Sequence, residues 1–279
     1  MPYTAEISRN NPSCFLFLID QSGSMADVFA SGDGKRRKSE GVADAINRLL
    51  QNLSIKCAKE EGVRDYFQVG VLGYGVSVGP AFAGQLTGRE LVPISEIANL
   101  PARVEERKRR VDDGTGGLVE QSIRFPIWFD AVASGGTPMC QALSRVASIL
   151  EPWTDQHPNS FPPVVINVTD GEATDGDPSG PADIIRKIRT SDGETLLCNL
   201  HLSASATTPI EFPDSESTLP DQFAQLLFRI SSALPPHIRD QASREGYRVA
   251  EGSRAFVFNA DLVSMIRFLD IGTRPSNLR

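Results

Sequence analysis

The sequence predicts an α/β fold: a doubly wound, mostly parallel central sheet with helices on both faces. Residues 14–19 form a continuous apolar run of strand length, and residues 164–168 are a second strand-length segment, both typical of strands buried on both sides of a sheet. Between such runs lie segments whose apolar residues recur at helical spacing. Strands that alternate with helices predict crossover connections, and crossover connections build a parallel sheet.

The first half of the chain supplies the first elements in this order. After the strand at 14–19, apolar residues from Val42 to Leu53 recur at helical spacing and predict an amphipathic helix. Residues 67–74 predict a second strand, and residues 76–82 its hairpin partner across Gly75.

The second half resumes the alternation. Thr137 and Pro138 open a helix with an apolar stripe from Met139 to Leu150, because proline is favoured in the first turn of a helix. The remaining predicted elements are a strand at 164–168, a helix at 182–189, a strand at 196–202, a helix at 223–230, a strand at 255–258 and a final helix at 262–269.

We expect a single domain over residues 1–279, with a core at about 12–272 and insertions at about 83–136 and 204–220. Neither insertion carries a pattern that could build its own core. The basic runs at 35–38 and 103–110 are expected to be solvated helix faces, with docking to an acidic protein surface as the alternative.

The composition excludes several classes of protein. A net charge of −7 argues against a nucleic-acid-binding protein or one that binds an anionic membrane. The apolar run at 14–19 is far shorter than the roughly 20 residues of a membrane-spanning helix. The first residues lack the apolar core of a signal peptide. We therefore expect a cytoplasmic protein, with its 4 widely spaced cysteines reduced.

Polar residues with oxygen ligand atoms lie in three separate predicted loops. Asp20, Ser22 and Ser24 come directly after the first strand, Thr137 follows a Gly-rich stretch, and Asp170 follows the strand at 164–168. Loops at the carboxyl ends of parallel strands converge on one edge of a sheet. A site in which every donor atom is oxygen suits a hard cation such as Mg²⁺ or Mn²⁺.

The charges of these residues predict a site that is open to a partner. Asp20 and Asp170 bring two negative charges, whereas the hydroxyls are neutral ligands. Mg²⁺ prefers six ligands and usually retains water. The expected result is an under-neutralised cation with an open position that accepts a carboxylate from another protein.

The pattern Asp-x-Ser-x-Ser at 20–24, with Thr137 and Asp170, resembles the metal-ion-dependent adhesion site of von Willebrand factor type A (vWA) domains. The resemblance implies a Rossmann-like vWA fold and a site for Mg²⁺, or for Mn²⁺ or Ca²⁺. It implies hydroxyls that bind the metal, aspartates that act directly or through water, and an Asp or Glu of a partner protein that completes the site. It also implies that the helix at 262–269 can shift between two positions.

The chain is also similar to intracellular bacterial vWA proteins of the TerY type, which are often encoded beside a protein kinase and a metal-dependent phosphatase. This likeness predicts a partner in a kinase- or phosphatase-linked signalling or stress system. Glu172, Asp175, Lys35 and Arg36 are expected at the rim where such a partner binds.

Two other functions remain open at this point. In a phosphoester hydrolase that forms an aspartyl phosphate, Asp20 would be the nucleophile, but Ser22 occupies the position at which such enzymes carry a second Asp. A structural subunit with a relic metal site is the other alternative. We predict no catalytic residue and expect a binding module rather than an enzyme.

Overall fold

The computed structural model describes residues 3–28, 36–112, 118–202 and 208–260. Its strands are β1 (Ser13–Asp20), β2 (Ala58–Lys59), β3 (Gly62–Val63), β4 (Phe67–Tyr74), β5 (Val78–Pro80), β6 (Val92–Pro93), β7 (Arg103–Asp112), β8 (Leu118–Ile127), β9 (Val164–Thr169), β10 (Arg189–Thr190), β11 (Gly193–Glu194), β12 (Leu196–Leu202), β13 (Ile210–Glu211) and β14 (Phe256–Ala260). Its α-helices are α1 (Lys38–Cys57), α2 (Ile94–Asn99), α3 (Met139–Gln156), α4 (Ser179–Lys187), α5 (Gln222–Ile230) and α6 (Pro236–Arg244).

Within these residues the central sheet has eight strands in the order β13-β14-β12-β9-β1-β4-β5, and β6 pairs with β4. The pairs between β14, β12, β9, β1 and β4 are all parallel, whereas β5, β6 and β13 join the sheet in antiparallel fashion. The predicted mostly parallel sheet is confirmed. Successive parallel strands are added on one side of β1 and then on the other, so the switch point of the sheet lies between β1 and β9.

Helices cover both faces of the sheet, as predicted. Alternate side chains of β1 enter two separate apolar layers, with Phe15, Phe17 and Ile19 on one face and Cys14, Leu16 and Leu18 on the other. The first layer includes residues of α1, α2 and α6, and the second includes residues of α3, α4 and α5. Because both faces are buried, β1 must be apolar throughout, which explains its uninterrupted run.

Some boundaries differ from the predictions. The hairpin partner of β4 is shorter than expected, since Val76 is 80% exposed and precedes the paired segment. Helix α4 begins earlier and ends earlier than predicted, and Ile184, expected on its apolar side, is 53% exposed while Ile185 is buried. The predicted final helix at 262–269 lies outside the described residues.

The insertion at 83–136 contains β6, α2 and the hairpin of β7 and β8. The basic run at 103–110 lies in β7, so the expectation of a solvated helix face was wrong. The partner strand β8 carries the period-2 signal, because the large apolar residues Ile123, Phe125 and Ile127 occupy alternate positions. In its described residues, the insertion at 204–220 contributes the edge strand β13 and a 3₁₀ turn at Glu216–Thr218.

No helix in the described ranges is both long enough and apolar enough to cross a membrane.

The base of the β7–β8 hairpin is anchored to α1 by one buried amide. Asn47, 1% exposed, accepts hydrogen bonds from the backbone N–H groups of Trp128 (2.8 Å) and Phe129 (3.0 Å). Its own amide donates to the Phe129 carbonyl (2.8 Å). The Trp128 indole in turn donates to the Ile97 carbonyl in α2 (2.6 Å). These bonds connect the insertion to the core that lies under α1 and α2.

We predict that Asn47→Ala lowers the free energy of unfolding by about 2–4 kcal/mol, because it leaves buried backbone groups without partners. The matched control is Asn52→Ala on the exposed side of the same helix, expected to change it by less than about 0.5 kcal/mol. Urea denaturation monitored by circular dichroism measures both. Equal effects of the two substitutions would contradict the anchoring role of Asn47.

Candidate metal centre

The predicted site residues lie at the switch point of the sheet. Strand β1 ends at Asp20, and its parallel neighbour β9 ends at Thr169, one residue before Asp170. The two strands are in register, with Ile19 opposite Val168. Their loops diverge from this point toward opposite faces, which leaves a crevice at the carboxyl edge of the sheet.

Backbone contacts hold the Gly-rich segment before α3 against the loop that follows β1. The Ser134 N–H donates to the Gln21 carbonyl (2.6 Å), and the Gly23 N–H donates to the Gly135 carbonyl (3.0 Å). Gly135 has φ +90°, and a Cβ at this position would lie 2.5 Å from the Val76 nitrogen. Only glycine permits this close approach, and the approach brings Thr137 toward the Asp20 loop.

Thr137 is positioned by a reciprocal pair of hydrogen bonds with the loop after β9. Its N–H donates to the Thr174 hydroxyl (3.0 Å), and its carbonyl accepts from the Thr174 N–H (2.9 Å). The Thr137 side chain is 5% exposed. Its Oγ1 lies 3.9 Å from the position that a Cβ on Gly171 would occupy, so the hydroxyl lies next to the Asp170 loop.

A chain of hydrogen bonds joins Ser22, Ser24 and Asp170. The Ser24 hydroxyl donates to Oδ1 of Asp170 (2.7 Å), and the Ser22 and Ser24 hydroxyls are 3.0 Å apart. Because the single proton of Ser24 is directed to the carboxylate, Ser22 is the donor in the second contact. The loops after β1 and β9 are therefore linked directly through residues predicted to bind the metal.

Asp20 is 1% exposed, and both of its carboxylate oxygens accept hydrogen bonds. Oδ1 accepts from the Ser22 N–H (2.8 Å), and Oδ2 accepts from the Thr169 hydroxyl (2.7 Å). Burial raises the pKa of Asp20 above its ordinary value of 3.8, the hydrogen bonds from Ser22 and Thr169 oppose this rise, and the charge of Asp170 adds to it. An ionised Asp20 therefore lowers the free energy of unfolding, and a bound cation would offset this loss.

The sequence did not predict the role of Lys38. Its Nζ lies 2.8 Å from Oδ2 of Asp170, with the two side chains 5% and 0% exposed. The expectation that residues 35–38 form a solvated helix face was therefore wrong at Lys38. The signal was present in the sequence, because Lys38 precedes Val42 by one helical turn and so lies on the buried stripe of α1.

The predicted rim residues are placed in different surroundings. Asp175 is exposed and caps α3, accepting hydrogen bonds from the N–H groups of Cys140 (3.0 Å) and Gln141 (2.9 Å). Glu172 is exposed and lines a cavity beside the site. Arg36 pairs with Asp44 of α1, and Lys35 lies outside the described residues. A rim role for these four residues stays a prediction.

The donor set of the crevice fits a hard divalent cation. In the parts of the chain that are described, no group of three or more His, Cys, Asp or Glu side chains lies together as a metal site. A cation in the crevice would therefore depend on hydroxyls together with two carboxylates, the chemistry of Mg²⁺ or Mn²⁺ rather than zinc or copper. His201, aligned with Thr169 in the sheet, is neutral at pH 7 because burial lowers its pKa to about 4.

No family model and no curated protein matches the chain. Solved structures that resemble it include the vWF domain of the type V pili tip protein Mfa5 from Porphyromonas gingivalis (13% identity, TM-score 0.31, 59% of this chain and 39% of that chain). Manganese-loaded TRAP from Plasmodium vivax is another (13% identity, TM-score 0.43, 96% of this chain and 76% of that chain). The minor pilin PilB from Streptococcus sanguinis is a third (10% identity, TM-score 0.45, 98% of this chain and 62% of that chain).

The chain spans less than two thirds of the length of the Mfa5 and PilB chains, at 39% and 62%. With TM-scores below 0.5, these likenesses say nothing about what this chain binds.

We predict that Asp20→Asn stabilises the metal-free protein at pH 7. A raised pKa means that the folded state binds the Asp20 proton more tightly than the unfolded state, so wild-type stability falls as the pH rises above 3.8, the ordinary pKa of Asp. The uncharged amide introduced by Asp20→Asn does not titrate, so the variant does not lose stability in this way as the pH rises. Thermal unfolding in EDTA between pH 4 and pH 7 should show a shallower decline for the variant. An Asp20→Asn protein that unfolds at a lower temperature than wild type at pH 7 would contradict the assigned cost of burial.

Proposed function

We propose that this chain is a cytoplasmic, divalent-cation-dependent protein-interaction module that binds a carboxylate of its partner through a site of the vWA adhesion type. One observation carries the proposal: the hydrogen-bonded chain of Ser22, Ser24 and Asp170 at the switch point, directly beside the buried Asp20. Thr137, on the third loop, lies next to the Asp170 loop. Oxygen donors from three loops thus converge where α/β sheets bind ligands.

The residues divide into two roles. Ser22, Ser24 and Thr137 supply neutral hydroxyl ligands, while Asp20 and Asp170 supply charge and accept hydrogen bonds that orient neighbouring groups. Because the Ser24 proton is directed to Asp170 and one lone pair accepts from Ser22, the Ser24 oxygen keeps one lone pair for a cation. A bound Mg²⁺ would supply a Lewis-acidic position that an Asp or Glu side chain of another protein can fill.

Binding, rather than catalysis, is the function that this arrangement supports best. General acid/base chemistry needs a proton carrier that can reach a substrate. Lys38 is buried and paired with Asp170, and Ser22 occupies the position at which an aspartyl-phosphate hydrolase carries its second Asp. We therefore propose that the chain is not an enzyme.

A cavity of about 440 Å³ beside the site offers further contacts for a partner. Its walls include Gly171 and Glu172 from the loop after Asp170, Met139 from the first turn of α3, and Phe223 and Leu226 from α5. We propose that a residue adjacent to the partner's carboxylate occupies this cavity. The resemblance to TerY-type proteins supports a partner from a kinase- or phosphatase-linked system in a bacterium.

We predict that the purified chain captures its partner from native lysate in Mg²⁺ and not in EDTA, and that Ser22→Ala/Ser24→Ala abolishes capture. The matched control is Ser144→Ala/Ser148→Ala, which removes two exposed serines of α3 and should bind as wild type does. Quantitative mass spectrometry of the bound fractions identifies the partner. Equal capture in every lane would mean that the metal site is not the recognition surface and would favour a relic site.

A further inference from the structure

Lys38 is an internal cation in the same crevice. Its ammonium group lies 2.8 Å from Oδ2 of Asp170, while Oδ1 of the same carboxylate accepts from Ser24 (2.7 Å). Asp170 is thus shared between a lysine and one of the proposed metal ligands. The Lys38 backbone is also fixed, because its N–H donates to the Asp27 carbonyl (2.8 Å).

The position of Lys38 is unfavourable for a lysine unless it has an electrostatic role. Lysine is rarely buried without a partner. Lys38 is also the first residue of α1, where the helix dipole disfavours a positive charge. Glu40 caps this end of the helix by accepting from the Arg37 N–H (3.3 Å), so Lys38 is not needed as a cap.

We propose that Lys38 couples metal binding to carboxylate binding by setting the charge of the crevice. Asp20, Asp170 and Lys38 together carry one negative charge, so a bound divalent cation leaves the site with one positive charge. Without Lys38 the same cation would be fully neutralised by the two aspartates. Lys38 therefore weakens the binding of the metal alone and strengthens the attraction of the metal-loaded site for an anionic ligand. This inference rests on the proposed function.

The consequence is a site that is weakly occupied until the acidic partner arrives. Lys38 offsets one of the two aspartate charges, and the partner's carboxylate restores that negative charge at the metal. The metal therefore increases the affinity of the site for the carboxylate, and the carboxylate increases its affinity for the metal by the same factor. With a neutral residue at position 38, the site would bind the metal tightly even without a partner. Lys38 is in this sense a specificity-determining residue of the site.

The test is Mn²⁺ affinity, measured by electron paramagnetic resonance of the free ion, in chloride buffer and in acetate buffer of equal ionic strength. Acetate is the carboxylate probe. We expect Lys38→Met to bind Mn²⁺ about tenfold more tightly than wild type in chloride. Acetate should tighten Mn²⁺ binding by wild type and by Lys38→Arg, and should have little effect on Lys38→Met. Lys187→Met, at an exposed position of α4, controls for the change in net charge.

A Lys38→Met variant that binds Mn²⁺ no more tightly than wild type, or responds to acetate as wild type does, overturns the role of Lys38. If Lys38→Met does not fold in metal-free buffer, Lys38→Gln takes its place, because its neutral amide can still donate to Asp170. The Mn²⁺ affinities of Lys38→Gln and wild type in chloride and in acetate then decide whether Lys38 has this role. Failure of the proposed function has a different signature: wild type would not bind Mn²⁺ even in acetate, or Ser22→Ala/Ser24→Ala would bind Mn²⁺ as tightly as wild type does.

Discussion

The arrangement of the site depends on the Asp170 carboxylate. One oxygen accepts from Ser24 on the loop after β1, and the other is paired with Lys38 at the start of α1. Three segments that are distant in sequence therefore meet on one side chain that is fully buried. Removing either partner would leave a buried charge incompletely paired, which is far more costly than losing an exposed ion pair.

The fold makes this concentration of charge possible without disrupting the core. Strand β1 is apolar from Cys14 to Ile19 and ends in Asp20, so the charged group lies just beyond the two apolar layers. The parallel neighbours β4 and β9 deliver their loops to the same edge, and the close approach at Gly135 brings the Thr137 loop in beside them. Burial raises the pKa of Asp20, so an ionised Asp20 at this edge is costly without a bound cation. Such a cost is expected where a site is prepared for a ligand.

Much of this arrangement could be predicted from local sequence patterns. The buried strands β1 and β9 are dominated by apolar residues, and the polar residues at their carboxyl ends mark the edge of the sheet. What could not be predicted depends on contacts between distant segments. The hairpin of β7 and β8 was missed because its charges mask a weak period-2 signal, and its anchor, Asn47, is an ordinary polar residue within a helix. Lys38 was missed because its pairing with Asp170 spans the sheet edge, although its helical phase pointed inward.

The most direct test of the account is anomalous diffraction from crystals grown with Mn²⁺ and measured at the manganese absorption edge. We expect one anomalous peak within coordination distance of the hydroxyls of Ser22, Ser24 and Thr137, with Lys38 still paired to Asp170. A crevice without a peak, in crystals that contain Mn²⁺ elsewhere, would contradict a metal site. It would instead indicate that Lys38 is the permanent cation of the crevice.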